Sequence, residues 1–201
     1  MMAREPEEND MRFAIIACLA LLTAACSSTF EKPRLDRATG RFQSNSPVDV
    51  AEVGAPFGPQ YADMVYVMTD SKVEKFNGFF VAAVEQTGSF KSVLDKDALE
   101  ALVIQKDLAD KVPSVSDLVG LNRLSKETGP FLVIEPTVLY LGAYRFQATL
   151  KATDASTGRV VLKLQNTATN WAGLDNPLFY PLFNALLDWT KGRQIASAPA
   201  R

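Results

Sequence analysis

Residues 144–154, YRFQATLKATD, and 159–171, RVVLKLQNTATNW, are two runs of alternating residues joined by the turn sequence DASTG. Phe146, Ala148, Leu150 and Ala152 fall on one side of the first run, and Val160, Leu162 and Leu164 on one side of the second. A period of two with a single apolar side describes a half-buried strand. Two such strands across a short turn pair antiparallel, and their apolar face must be covered by another layer. A cover follows at once in PLFYPLFNALLDWTKG, which reads as a closing helix opened by Asn176 and Pro177 as N-cap and first residue. Pro181 lies early enough in that helix to be tolerated, or marks a fresh start.

The rest of the chain is read outward from this hairpin. FLVIEPTVLYL (131–141) is a third strand, and Pro136 within it implies an edge position or a bulge. DMVYVMT (63–69) is apolar on both faces, as a central strand is. Ser71 and Glu74 form a capping box for a helix with Val73, Phe76, Phe80, Ala83 and Val84 inward, ended by Gly88. FKSVLD (90–95) is a short strand. Asp97 and Glu100 repeat the capping signature for a second helix to about Asp110, and Pro113 breaks the chain. Residues 114–129 form a third helix with Leu118, Leu121 and Leu124 inward and Gly129-Pro130 as its stop. The expected fold is a single α+β domain over 61–192, ordered β-α-β-α-α-β-β-β-α, with a C-terminal antiparallel meander and a closing helix. Residues 26–60, with Pro33, Pro47, Pro56 and Pro59, are expected to be a flexible tether carrying a short strand at most, at Val48–Val53. Residues 193–201 are expected to form a disordered tail.

Composition removes several functions. The chain has no histidine among its 201 residues, which takes away the usual general base, the commonest metal ligand and the physiological-pH switch. Its two cysteines, Cys18 and Cys26, both lie near the start, so the body of the chain holds no zinc site and no disulfide. Residues 1–25 carry Arg4 and Arg12 against Glu5, Glu7, Glu8 and Asp10. Setting these aside from the 21 basic and 23 acidic side chains of the whole leaves 19 of each, a formally neutral body. No basic stripe draws it to nucleic acid, and no nucleic-acid partner is expected. No GxSxG or SxxK sequence activates a serine, and no cofactor is expected.

The opening stretch FAIIACLALLTAACSS (13–28) gives the place of work. Phe13 to Ala25 falls short of the roughly 20 apolar residues that cross a bilayer. An apolar core of this length ending in small residues is a secretory signal, over residues 1–25, with its true start expected at Met11, where Arg12 supplies the cationic lead. Leu22-Thr23-Ala24-Ala25-Cys26 resembles the lipobox of bacterial lipoprotein signal peptides, departing from it mildly at Thr23. Ile15-Ile16-Ala17-Cys18 fits the box equally well, but almost no apolar core precedes it. The resemblance implies that the Cys26 thiol is acylated and that the membrane is held through this N-terminal lipid. Ser27 in place of aspartate implies the outer membrane, on its periplasmic side.

A second resemblance lies in the body. VEQTGSFKSVL, LSKETGPFLVIEPTVL and TLKATDASTGRVVLKLQNTA, followed by the apolar helix, resemble the group that shares the fold of the TolB N-terminal domain. That group includes the curli-secretion lipoprotein family and the lipoprotein activators of penicillin-binding proteins. The resemblance implies a non-enzymatic protein of the cell envelope that serves an assembly or secretion machine. No extra strand pair with the lipid-facing and lumen-facing pattern of a barrel wall is present, so a pore is not expected.

Among candidate site residues, Asp95 and Asp97 flank Lys96, and Glu135 interrupts an apolar strand. Paired carboxylates do acid–base work or bind a hard cation. Helix capping accounts for both aspartates, and an edge strand accounts for Glu135. Tyr140 and Tyr144 bracket a tight turn, and Trp171, Phe179, Tyr180 and Trp189 gather near the closing helix. Most of these are expected in the core or on its rim. Trp and Tyr are also the commonest interface anchors, so an exposed LFYPLF face is the candidate surface for an envelope protein partner, a second copy or the bilayer. The expected function is therefore that of a lipid-anchored, non-enzymatic envelope protein. An anchored cell-wall hydrolase using carboxylates and a periplasmic small-ligand binder stand as alternatives.

Overall fold

The computed structural model describes residues 32–44, 46–170, 174 and 176–198; the expected signal segment, Cys26 and Trp171 lie outside them. The strands are β1 (Val50–Val53), β2 (Met64–Val67), β3 (Ser92–Leu94), β4 (Leu132–Gly142), β5 (Arg145–Asp154) and β6 (Val160–Thr169). The helices are α1 (Asn77–Gln86), α2 (Lys96–Gln105), α3 (Leu118–Thr128) and α4 (Asn176–Thr190). This is the expected α+β order with one strand added in front. The strands make a single sheet in the order β1-β6-β5-β4-β2-β3. β2 runs parallel to β3 and to β4, while β4, β5, β6 and β1 pair antiparallel.

Side-chain caps start α2 and α3, whereas Asn176, expected to cap α4, is its first residue and its side-chain oxygen finds no partner among the described residues. Asp95, not Asp97, caps α2 by accepting from the Ala98 amide at 2.9 Å, and Asp117 caps α3 by accepting from Gly120 at 2.9 Å. The Ser71–Glu74 box does not form. Asp70 instead accepts from the Lys72 and Val73 amides, and a turn of 3-10 helix at Glu74–Phe76 leads into α1. Gly120 sits inside α3 because the Ser114 carbonyl passes where its side chain would be.

Alternation along the sheet divides two cores. Val65, Val67, Leu132, Ile134, Leu150, Leu162 and Leu164 face α1 and α4, whereas Tyr66 and Val133 face α2 and α3. Each such leucine contributes about 2 kcal/mol by leaving water. Val160 departs from the expected pattern and points outward. The register shifts opposite Ala152 and Thr153, so Val161 is the extra residue of a bulge and takes the inward place. Leu118, in the first turn of α3, is also exposed, while Leu121 and Leu124 are fully buried. Pro136 is explained by the length of β4. β2 accompanies it only as far as Ile134, whose carbonyl accepts from Met68. By alternation the nitrogen of Pro136 faces the side that β2 has already left, so no ladder bond is lost.

Two boundaries must be corrected. The segment expected to be a tether is part of the domain from its first described residues. Phe42 is buried between the rings of Tyr180 and Phe183, at 5.3 and 5.7 Å, and Val48 is buried beside it. Arg41 makes a two-pronged ion pair with Asp188 at 2.8 Å on each prong. The Asn184 carboxamide accepts from the Phe42 amide at 2.9 Å and donates to the Phe42 carbonyl at 3.1 Å. The tail is docked as well: Ser197 bridges to Val48, and the Ala198 amide donates to its carbonyl at 2.8 Å. These segments show no helix or strand period because side chains of α4 hold their backbone, and such bonds leave no repeat in the sequence.

Asn184→Ala leaves the buried Phe42 amide and carbonyl without partners. Urea unfolding should show a loss of about 2–3 kcal/mol, together with early protease access near residue 40.

Candidate docking surface

β4 has 11 residues, and β2 pairs with only Leu132, Val133 and Ile134 of them. From Glu135 to Gly142, a run of about 24 Å at strand rise, β4 has, among the described residues, a neighbouring strand on one side only, β5. The connection to β5 is a two-residue turn at Ala143 and Tyr144, both with positive φ (47° and 59°), after Gly142 at 89°. That is the geometry of a hairpin turn that prefers Asn-Gly, occupied here by two residues that adopt it with strain.

The helices cover the sheet unevenly. α2 and α3 pack on β2, β3 and the start of β4, so no helix among the described residues covers the same face of outer β4, β5 and β6. Its residues form ordered cross-strand rows. Glu135, Lys151, Lys163 and Glu52 lie in register across four strands, with ion pairs of 2.8 Å between Glu135 and Lys151 and between Lys163 and Glu52. Glu135 also accepts from the Thr153 hydroxyl at 3.4 Å. These pairs are at least partly exposed and order the face more than they stabilise it. Beyond this charged row Leu139 stands exposed on that face and Tyr140 on the other, its ring 5.1 Å from Phe146, while Leu141, also exposed, is the extra residue of a bulge where the register shifts between Tyr140 and Gly142.

The expected aromatic surface divides accordingly. Tyr140 and Tyr144 are exposed, at 58% and 47%. Phe179, Tyr180 and Trp189 are buried, at 1%, 8% and 4%, which removes them from any docking surface of this domain. The reason is packing on both sides of α4. Phe179 stacks edge-on against Phe80 at 5.1 Å, Tyr180 meets Phe42, and Trp189 donates to the Ala55 carbonyl at 2.9 Å while Phe57 closes over its ring. Cys26 and Trp171 lie outside the described residues. Leu139 and Leu141 were not singled out in the sequence, because strand alternation alone does not tell a covered face from an open one.

Asp154 is a second residue that the sequence reading passed over, although it opens the DASTG turn. Nearly buried, it accepts from the Ser156 hydroxyl and amide at 2.6 and 2.8 Å, the Thr157 hydroxyl at 3.0 Å and the Tyr61 hydroxyl at 3.2 Å. Burial works most strongly against its charge, yet these donors together hold its carboxyl below the ordinary range. Every donor comes from the turn or from Tyr61, so the cluster ties the hairpin down and has no open position for a substrate. Among the described residues no group of three metal-ligating side chains gathers.

No protein-family model and no curated protein matches the chain. Solved structures to which it is similar include the PelC dodecamer from Paraburkholderia phytofirmans, 12% identical, over 72% of this chain and 96% of that one, with a TM-score of 0.38. The C-terminal domain of LpoB from Salmonella enterica is 11% identical over 56% and 87%, with a TM-score of 0.36. Lipoprotein GNA1162 from Neisseria meningitidis is 15% identical over 63% and 94%, with a TM-score of 0.38. At these values neither family nor function follows from the likeness.

Two expectations follow. A carboxyl held low in the folded state adds stability above the ordinary carboxylate range, and that contribution is lost as pH falls through its folded value. The gap in urea midpoint between wild type and Asp154→Asn should therefore be widest at neutral pH and should narrow in acid. Replacing Ala143-Tyr144 with Asn-Gly should raise stability by about 1 kcal/mol, read by thermal melting, because the turn then holds residues that accept positive φ.

Proposed function

We propose that the protein is a lipid-anchored component of the bacterial envelope, held through Cys26 on the periplasmic side of the outer membrane, and that it works by binding rather than by catalysis. The observation that carries the binding role is the outer half of β4, an unpaired strand edge with Leu139 and Leu141 exposed beside it. Such an edge takes an extended segment of a partner as an added strand, with main-chain bonds for affinity and alternate side chains for selectivity. Of the carboxylates of a hydrolase reading, Glu135 is paired with Lys151, and Asp95 uses one oxygen to cap α2 at the amide of Ala98. Lys32 lies six residues after Cys26, so a lipid on Cys26 holds Lys32 within about 21 Å of the acylated residue.

Cys26→Ser should abolish labelling by a fatty-acid analogue in cells, and a variant that stays labelled rules out that anchor. A photo-crosslinking residue at 139 should trap an adduct, while one at Ile104, an exposed apolar position on α2, should not. The adduct should disappear in Leu141→Lys with the thermal midpoint unchanged. Adducts at 104 and none at 139 would overturn the assignment of the edge.

A further inference from the structure

The chain leaves β2 through α1 on one face of the sheet to reach β3, then returns through α2 and α3 on the other face to reach β4. Crossovers that run in opposite directions part at the carboxyl ends of the strands, and open α/β sheets take ligands at such points. Here the parting leaves a crevice of about 440 Å³, with Tyr66, Thr69, Glu74, Asn77, Asp95 and Asp97 in its wall. That volume suits a small ligand or one long side chain.

Tyr66 is the telling residue. It is only 2% exposed, packed with the core between the sheet and α2 and α3, and its hydroxyl has no hydrogen-bond partner among the described residues. The ring is buried, but the hydroxyl opens on the crevice, where a ligand can meet it. Burial, followed by the negative charges of Glu100 and Asp95, pushes this phenol up to about 12, so it remains protonated at any physiological pH.

The rim settles the sign of the ligand. Helix starts attract anions, but those of α2 and α3 are already capped by Asp95 and Asp117, and Asp70 serves the turn before α1. Of the charged residues in the wall, Glu74, Asp95 and Asp97 outnumber Lys96, whose ammonium is turned toward Glu100 at 3.8 Å. One carboxylate oxygen of Asp95 caps α2, and the other has no partner among the described residues. We propose that this crevice binds an organic cation, a guanidinium or primary ammonium group, between the Tyr66 hydroxyl and the Asp95 carboxylate. The group comes from a free amine or from a basic side chain of a partner. The inference stands apart from the β4 edge and from the anchor.

The test uses the full chain in detergent, with tyrosine labelled at the ring carbon that bears the hydroxyl. Agmatine and the peptide Gly-Arg-Gly are titrated in, with acetate as the opposite charge. Tyr66→Phe identifies the resonance while keeping the ring in the core. The expected result is a saturable shift of the Tyr66 signal with agmatine, with the peptide or with both, and none with acetate. The stronger of the two identifies the source as free amine or side chain. Asp95→Asn keeps a competent cap while losing the charge, and should weaken binding about tenfold. Asp97→Asn, at an exposed position, should weaken it less. An unshifted Tyr66 signal at millimolar cation, a response to acetate, or equal affinity in both aspartate variants and wild type overturns the proposal.

Discussion

The structure depends on a helix that is buried all round. From Leu178 to Trp189, twelve consecutive residues of α4 are out of water, polar Asn184 and Asp188 among them. A helix with no solvent face cannot rest on a sheet alone. β5 and β6 cover one side, α1 covers another through Phe79 and Phe80, and the chain on either flank of the domain must supply the remainder. This is why Phe42, Val48 and Ile195 are drawn in, and why Asn184 and Asp188, one turn apart, point at the flank they hold. The proline in the helix is accommodated by the same layer. Pro181 cannot donate to the Pro177 carbonyl, and the Asn166 side chain brings a donor to that turn, 2.8 Å from the Leu178 carbonyl and 3.5 Å from that of Pro177.

The sheet is used asymmetrically. Among the described residues, one face is sealed by α1, α4 and the flanks, and the other only over its parallel part. Both proposed sites come from that division. Outer β4 has no second neighbour among the described residues because β2 is four residues long and β4 is eleven. The crevice exists because α1 and the α2–α3 pair lie on opposite faces and part at the end of β2. A docking edge and a small polar crevice are thus two results of placing a short parallel unit beside a long antiparallel meander.

Much of this was legible in the chain. Period-two runs gave β4, β5 and β6, and the inward residues Leu150, Leu162 and Leu164 are the ones fully buried. Gly88 and Gly129 mark helix ends with positive φ, at 62° and 99°. The misses share a cause. PLFYPLFNALLDW is apolar around its whole circumference, which signals a helix covered on every side. Its aromatic residues also suit an interface, and sequence offered nothing to separate the two, because the covering segments have no period of their own. Tyr66 and Leu139 were invisible as site residues for a related reason. Each is an ordinary strand residue until the helices are placed over one part of the sheet and not the other.

By itself the sequence determined the α+β order of elements, the alternation that builds the meander, and a body without histidine or cysteine. These follow from periodicity, turn residues and composition, all of which are local or additive. Only the tertiary structure decided which apolar faces meet, that the flanking segments pack on α4, and which strand edge and which phenol have no partner among the described residues. Those depend on contacts between residues more than a hundred positions apart, such as Arg41 with Asp188, and no local pattern encodes them.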